Sequence, residues 1–114
     1  MRIVTLASVR GAPGVTTTSL LLAAAHDDAV VVEADLDGGV LAVRYGLGRE
    51  PGLTTLAAAG AAESGTWRAH AQDAGGIPVL VGPDAHGPTA SLWRTAGERL
   101  SKSLSVAEGL AVVD

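Results

Sequence analysis

The chain has 114 residues, 47% of them apolar and 18% charged, which is enough apolar side chain for one domain-sized core and excludes a disordered tail. Its net charge of −4 is accompanied by eight basic residues spread singly, so no basic stripe signals direct nucleic-acid binding by this segment. The absence of cysteine excludes a disulfide framework and thiolate metal sites, and no run reaches the roughly 20 apolar residues of a membrane span. A soluble, cytoplasmic protein is expected.

Arg2–Val9 reads as a buried strand on Ile3, Val4, Leu6 and Val9. A helix follows from Gly14 to His26, with Leu20, Leu21, Ala24 and Ala25 on its apolar face and His26 complementing its C-terminus. Ala29–Asp35, "AVVVEAD", is a second strand whose unbroken valines suit burial on both faces of a parallel sheet. "LDGG" turns the chain, and Pro51, Gly52 and Gly60 bracket a short helix.

Residues 61–76 are ambiguous, with Trp67 as their large anchor. Ile77–Gly82 is a third strand, and "PDAHGP" a loop. Thr89–Leu104 is the clearest amphipathic helix: Leu92, Ala96, Leu100 and Leu104 recur every four residues, and Glu98 can pair with Lys102. "GLAVVD" is a final strand ending on Asp114. Alternating strands and helices predict an α/β fold, a parallel sheet with flanking helices. A chain that stops on a strand lacks the helix to cover it, so truncation after this strand is expected. The core has no Phe, one Tyr and two Trp, and its small residues suit helices lying close on a sheet.

Ser8–Ser19, "SVRGAPGVTTTS", joins the first strand to the first helix. A glycine turn there aims unpaired helix N–H groups and the helix dipole at an anion above the sheet. Gly11 and Gly14 let the backbone approach phosphate, while Thr16 and Thr17 can offer hydroxyls to magnesium and a phosphate oxygen. The ordinary pattern G-x-x-x-x-G-K-S/T fits in part: Gly14 and Thr16 match, whereas Val9 and Val15 stand at the first glycine and the lysine. A plain glycine turn before a Thr-rich helix start is the competing reading.

The same stretch resembles the deviant Walker A loop, K-G-G-x-G-K-T/S-T/S, of the ParA/MinD family of P-loop partition and positioning ATPases. On that pattern Arg10 falls on the signature lysine that reaches a dimer partner's nucleotide, and Gly11, Gly14, Thr16 and Thr17 match. Ala12 replaces a glycine, and Val15 replaces the P-loop lysine. "VVVEADLDGG" looks like the family's second strand and switch loop, placing Asp35 and Asp37 near magnesium and the attacking water. "LAVVD" looks like its Walker B strand, with Asp114 helping to hold magnesium.

The resemblance implies that residues 1–114 form the N-terminal part of one P-loop NTPase-like domain. It further implies ATP and Mg2+ as cofactors, a homodimer switched by ATP, and a protein partner not identified by the sequence. It places Arg10, Gly11, Ala12, Gly14, Val15, Thr16 and Thr17 around nucleotide, Thr16, Asp35 and Asp114 around the metal, and Asp35 and Asp37 at the catalytic water.

Val15 argues against hydrolysis, since valine supplies no charge for phosphoryl transfer. A degenerate interaction scaffold is therefore the alternative function. Asp35 and Asp37 also suit a turn, and Arg10 a solvated loop edge. Glu33, at the end of the second strand, raises a rival ribose-binding role in a dinucleotide fold, but the three-glycine fingerprint is missing. His26, His70 and His86 show no ligand spacing, and Trp67 and Trp93 read as core anchors.

Overall fold

The structure, a computed structural model, describes residues 2–7, 14–35, 41–59, 66–105 and 109–114. The proposed site residues Arg10, Gly11, Ala12 and Asp37 lie outside the described residues. In chain order the elements are β1 (Arg2–Thr5), α1 (Val15–Ala24), β2 (Ala29–Val32), α2 (Leu41–Tyr45) and α3 (Leu53–Ala59). A 3-10 turn (Thr66–His70) leads to β3 (Gln72–Ala74), β4 (Ile77–Leu80), α4 (His86–Ser105) and β5 (Leu110–Val113).

The strands form one sheet in the order β1-β5-β2-β4-β3. The expected parallel sheet holds for β1, β5, β2 and β4, while β3 is antiparallel to β4. β3 falls within residues 61–76, which are ambiguous in the sequence. The turn from β3 to β4 is Gly75-Gly76, both at positive φ (61° and 93°), the backbone that suits the twist of a two-residue hairpin.

Strand alternation divides the core between two faces. Val30, Val32, Leu80 and Ala111 point to one face, where Leu53 and Leu56 of α3, Trp67, and Ala96, Leu100 and Leu104 of α4 cover them. Val31, Val79, Leu110 and Val112 point to the other, under Leu20 and Ala23 of α1 and Leu41 and Ala42 of α2. The periodicity read for α4 is therefore its buried stripe, with Leu92 and Trp93 packed partly buried beside it. Lys102 and Glu98 pair at 3.7 Å on its exposed side.

Three expectations need correction. The first strand is an edge, not a buried strand: β1 pairs on one side with β5, and Ile3 is 45% exposed. The buried side of α1 is Ser19, Leu20 and Ala23, whereas Leu21 is 67% exposed and Ala24 and Ala25 are exposed. With three leucines in succession, only tertiary packing selects which one turns inward. Helix α4 begins at His86, so "HGP" belongs to the helix and not to a loop; proline is tolerated in a first turn because no intrahelical acceptor awaits its nitrogen.

Trp67 is fully buried against α3 and α4, as its anchor role requires. The Arg68 guanidinium stacks over its ring at 4.4 Å and also pairs with Asp28, tying the 3-10 turn to the start of β2. Among the described residues no helix is long and apolar enough to cross a membrane.

The two leucines of contrasting burial give a direct test. Leu100→Ala should cost about 2–5 kcal/mol of stability because it opens a cavity under α4. Leu21→Ala should fall within about 0.5 kcal/mol of wild type, as surface changes do. Urea denaturation of both variants checks the assignment, and comparable losses would refute it.

Candidate functional site

β5 sits between β1 and β2 and runs parallel to both, so the carboxyl ends of all three strands emerge together. The ladder continues past the strands: Leu6 N–H donates to Val113 O at 2.9 Å, Asp114 N–H to Val32 O at 2.8 Å, and Ala34 N–H to Asp114 O at 2.8 Å. Asp114 is thereby held in the middle of this edge, with Asp35 one residue beyond its backbone partner Ala34. Open α/β sheets bind ligands outside such carboxyl ends, where the strand order reverses.

The first helix delivers its N-terminus to the same place. Gly14 precedes α1 in the left-handed region (φ 104°), a conformation that costs a side-chain-bearing residue but not glycine. Thr18 N–H already donates to Gly14 O at 2.8 Å, so the helix is wound from its first residue. The Thr16 hydroxyl then donates to Asp114 Oδ2 at 3.0 Å, joining residues 98 apart in sequence. The two residues that the resemblance assigns to one metal are thus in contact. Val15, in the lysine's place, is half-buried, and its carbonyl accepts the Ser19 hydroxyl at 3.0 Å. Thr17 is exposed on the same first turn.

Hydroxyl and carboxylate oxygens are the hard donors that magnesium takes, one or two from the protein and the rest from phosphate and water. The Thr16–Asp114 pair fits that chemistry. Among the described residues no group of three or more His, Asp or Glu could hold a metal by itself, and Asp35 does not join them in one.

Glu33 is different in kind. It is 1% exposed, and its carboxylate is fully engaged: Oε2 accepts Leu41 N–H at 3.1 Å, and Oε1 accepts Gly82 N–H at 3.3 Å and the Arg49 guanidinium at 3.4 Å. Burial pushes its carboxyl above the ordinary glutamate range; the bonds from Gly82 and Leu41 and the charge of Arg49 pull it back, and nearby Asp114 adds to the rise. A buried, engaged carboxylate cannot hold a ribose, so the rival dinucleotide reading loses its acid.

Arg49 and Gly82 did not stand out in the sequence. Arg49 also donates to Gly82 O at 3.1 Å. A Cβ on Gly82 would strike the Glu33 carbonyl oxygen, so glycine is required for the two strand ends to approach. The legible signal was Glu33 itself, an acid at the end of an all-apolar strand, which burial obliges to find a cation and donors.

His26 Nδ1 lies 3.0 Å from Leu22 O, within its own helix end, as expected. His70 Nδ1 lies 2.7 Å from the Thr55 hydroxyl, which also bonds Gly52; the pair fastens the 3-10 turn to the start of α3.

The Thr16 bond predicts its own cost. Thr16→Val keeps the shape of the side chain and removes the donor, and should lower stability by about 1 kcal/mol, the net value of one hydrogen bond. Urea titration measures it, and an unchanged midpoint would show that the bond contributes nothing in the ligand-free protein. Comparison with protein-family models, with curated proteins and with solved structures finds no match to this chain.

Proposed function

We propose that this chain is a P-loop NTPase-like, ParA/MinD-like nucleotide-binding protein whose ATP-bound form dimerises, a switch of the kind used in partitioning or positioning. The observation that carries the reading is the hydrogen bond from Thr16, in the first turn of α1, to Asp114 at the end of the central strand. Two residues assigned to one magnesium ion from separate motifs meet at the carboxyl edge of a parallel sheet. The left-handed Gly14 and the N-terminus of a ten-residue helix support the phosphate part of the reading.

In this reading the N–H groups at the start of α1, with Gly11 and Gly14, cradle phosphate, and Ala12 and Val15 contribute backbone only. Magnesium, when bound, would supply charge neutralisation to the phosphate. Thr16, Asp35 and Asp114 would hold it, and Asp35 or Asp37 would orient water. Arg10 grips phosphate, its own or a partner's, as a planar cation can. The cytoplasm is the compartment that suits an ATP switch.

Val15 sets the limit of this activity. Phosphoryl transfer depends on positioning and electrostatics, and a valine contributes neither charge nor hydrogen bond at the phosphates. Nucleotide use without appreciable turnover follows, and a scaffold that binds no nucleotide is the second reading that Val15 favours.

Calorimetry with ATP and magnesium separates them. Val15→Lys should tighten ATP by roughly ten- to a hundredfold, the value of one hydrogen bond to a charged group, about 1.5–3 kcal/mol. Asp114→Asn should remove the magnesium-dependent share of the affinity. No ATP binding by either wild type or Val15→Lys, with folding intact, would leave only the scaffold.

Self-association offers an independent check. Arg10→Ala should abolish an ATP-dependent dimer in light scattering while leaving the melting temperature nearly unchanged. A dimer that survives would remove Arg10 from the switch.

A further inference from the structure

The carboxylate of Glu33 stands where four elements converge. Its residue follows β2 directly, and its backbone N–H extends the ladder to Leu80 O at 3.0 Å. Its two oxygens take the first amide of α2 (Leu41) and the amide of Gly82 just beyond β4. Arg49, which closes the set, belongs to the segment between α2 and α3, and Leu53 N–H at the start of α3 donates to Val81 O at 2.8 Å. One side chain thus bonds the backbone of Leu41, eight residues further along the chain.

This arrangement is costly as a stabilising device. An apolar side chain of similar volume often serves a core as well as or better than a buried ion pair, because taking the charges out of water offsets their attraction. What the apolar side chain cannot do is direct two backbone amides to one point. The residue two positions on is Asp35, and Ala34 between them is bonded to the backbone of Asp114.

We infer that Glu33 is a positioning residue for the proposed phosphate and magnesium site: by gathering the Leu41 and Gly82 amides, with Arg49 holding it, its carboxylate fixes the end of β2 and with it the place of Asp35, next in the chain to Ala34, whose N–H is bonded to the Asp114 carbonyl. The inference rests on the proposed function for what Asp35 serves, and on the hydrogen bonds alone for what Glu33 does. Glu33 does not touch the ligand in this scheme. It acts through Asp35.

The test uses the full chain and two variants. Glu33→Leu fills the volume without accepting a hydrogen bond, and Glu33→Gln keeps one acceptor oxygen and a foldable site should the leucine variant prove unstable. ATP affinity is measured with magnesium and with EDTA, and amide exchange and chemical shifts are followed by NMR at Asp35, Leu41, Gly82 and Leu100. Glu33→Leu is expected to lose tenfold or more in ATP affinity with magnesium and to keep the EDTA value. Leu41 and Gly82 should exchange faster, the Asp35 amide should shift, and Leu100 should stay protected. Glu33→Gln should fall between.

Two outcomes overturn the inference: magnesium-dependent affinity and Leu41 exchange unchanged in both variants, or equal losses with and without magnesium that track the melting temperature. Should wild type bind no ATP, the proposed function falls, and the NMR measurements alone decide. Faster exchange at Leu41 and Gly82 with a displaced Asp35 would then sustain the positioning role, and unchanged spectra there would end it.

Discussion

The insertion of β5 between β1 and β2 is the constraint on which the rest depends. The chain makes β1, crosses by α1 to β2, and leaves a strand-wide space that is filled only when the last strand arrives. β5 then pairs on both sides in one register, Leu110 facing Arg2 on one neighbour and Ala29 on the other. Until those ladders close, the α1 N-terminus and Asp114 share no element. Once they close, a 3.0 Å hydrogen bond joins them. The site is therefore a product of long-range pairing, and its assembly pays the loop-closure entropy of nearly the whole chain.

The two faces of the sheet meet different demands. Under α3 and α4 the packing is carried by leucines and the single buried Trp67, a large apolar layer. Under α1 and α2 it is shared among Leu20, Leu41 and Leu110, the alanines Ala23, Ala29, Ala42 and Ala74, and four valines. Close approach of backbones occurs at Gly82, where a methyl group would collide with the Glu33 backbone.

Charge is distributed unevenly around that site. The negative charge of Asp114 helps to raise the pKa of Glu33, and Arg49 pairs with Glu33 at 3.4 Å. Where the resemblance would put a lysine, the chain has Val15. On the proposed reading, carboxylates, a hydroxyl and helix N–H groups without a cation at position 15 would suit a ligand that brings its own divalent ion. The same set would be poorly suited to stabilising the further charge of phosphoryl transfer.

The α/β class, the order of the long elements, the buried stripe of α4 and the Thr-rich start of α1 were legible in the sequence, because each rests on local periodicity or on a glycine beside an apolar run. The pairing of Thr16 with Asp114 could be anticipated only through motif order, since nothing local links residues 98 apart. The edge position of β1, the inward turn of Leu20 and not Leu21, and the antiparallel β3 were decided by tertiary structure. An apolar run reads the same at an edge as in the middle of a sheet, and neighbouring leucines differ only in what packs over them. Glu33 shows the division most plainly: its sequence setting announces a buried acid in need of partners, but Arg49 and Gly82, 16 and 49 residues away, become those partners only because the folded sheet brings the ends of β2 and β4 together.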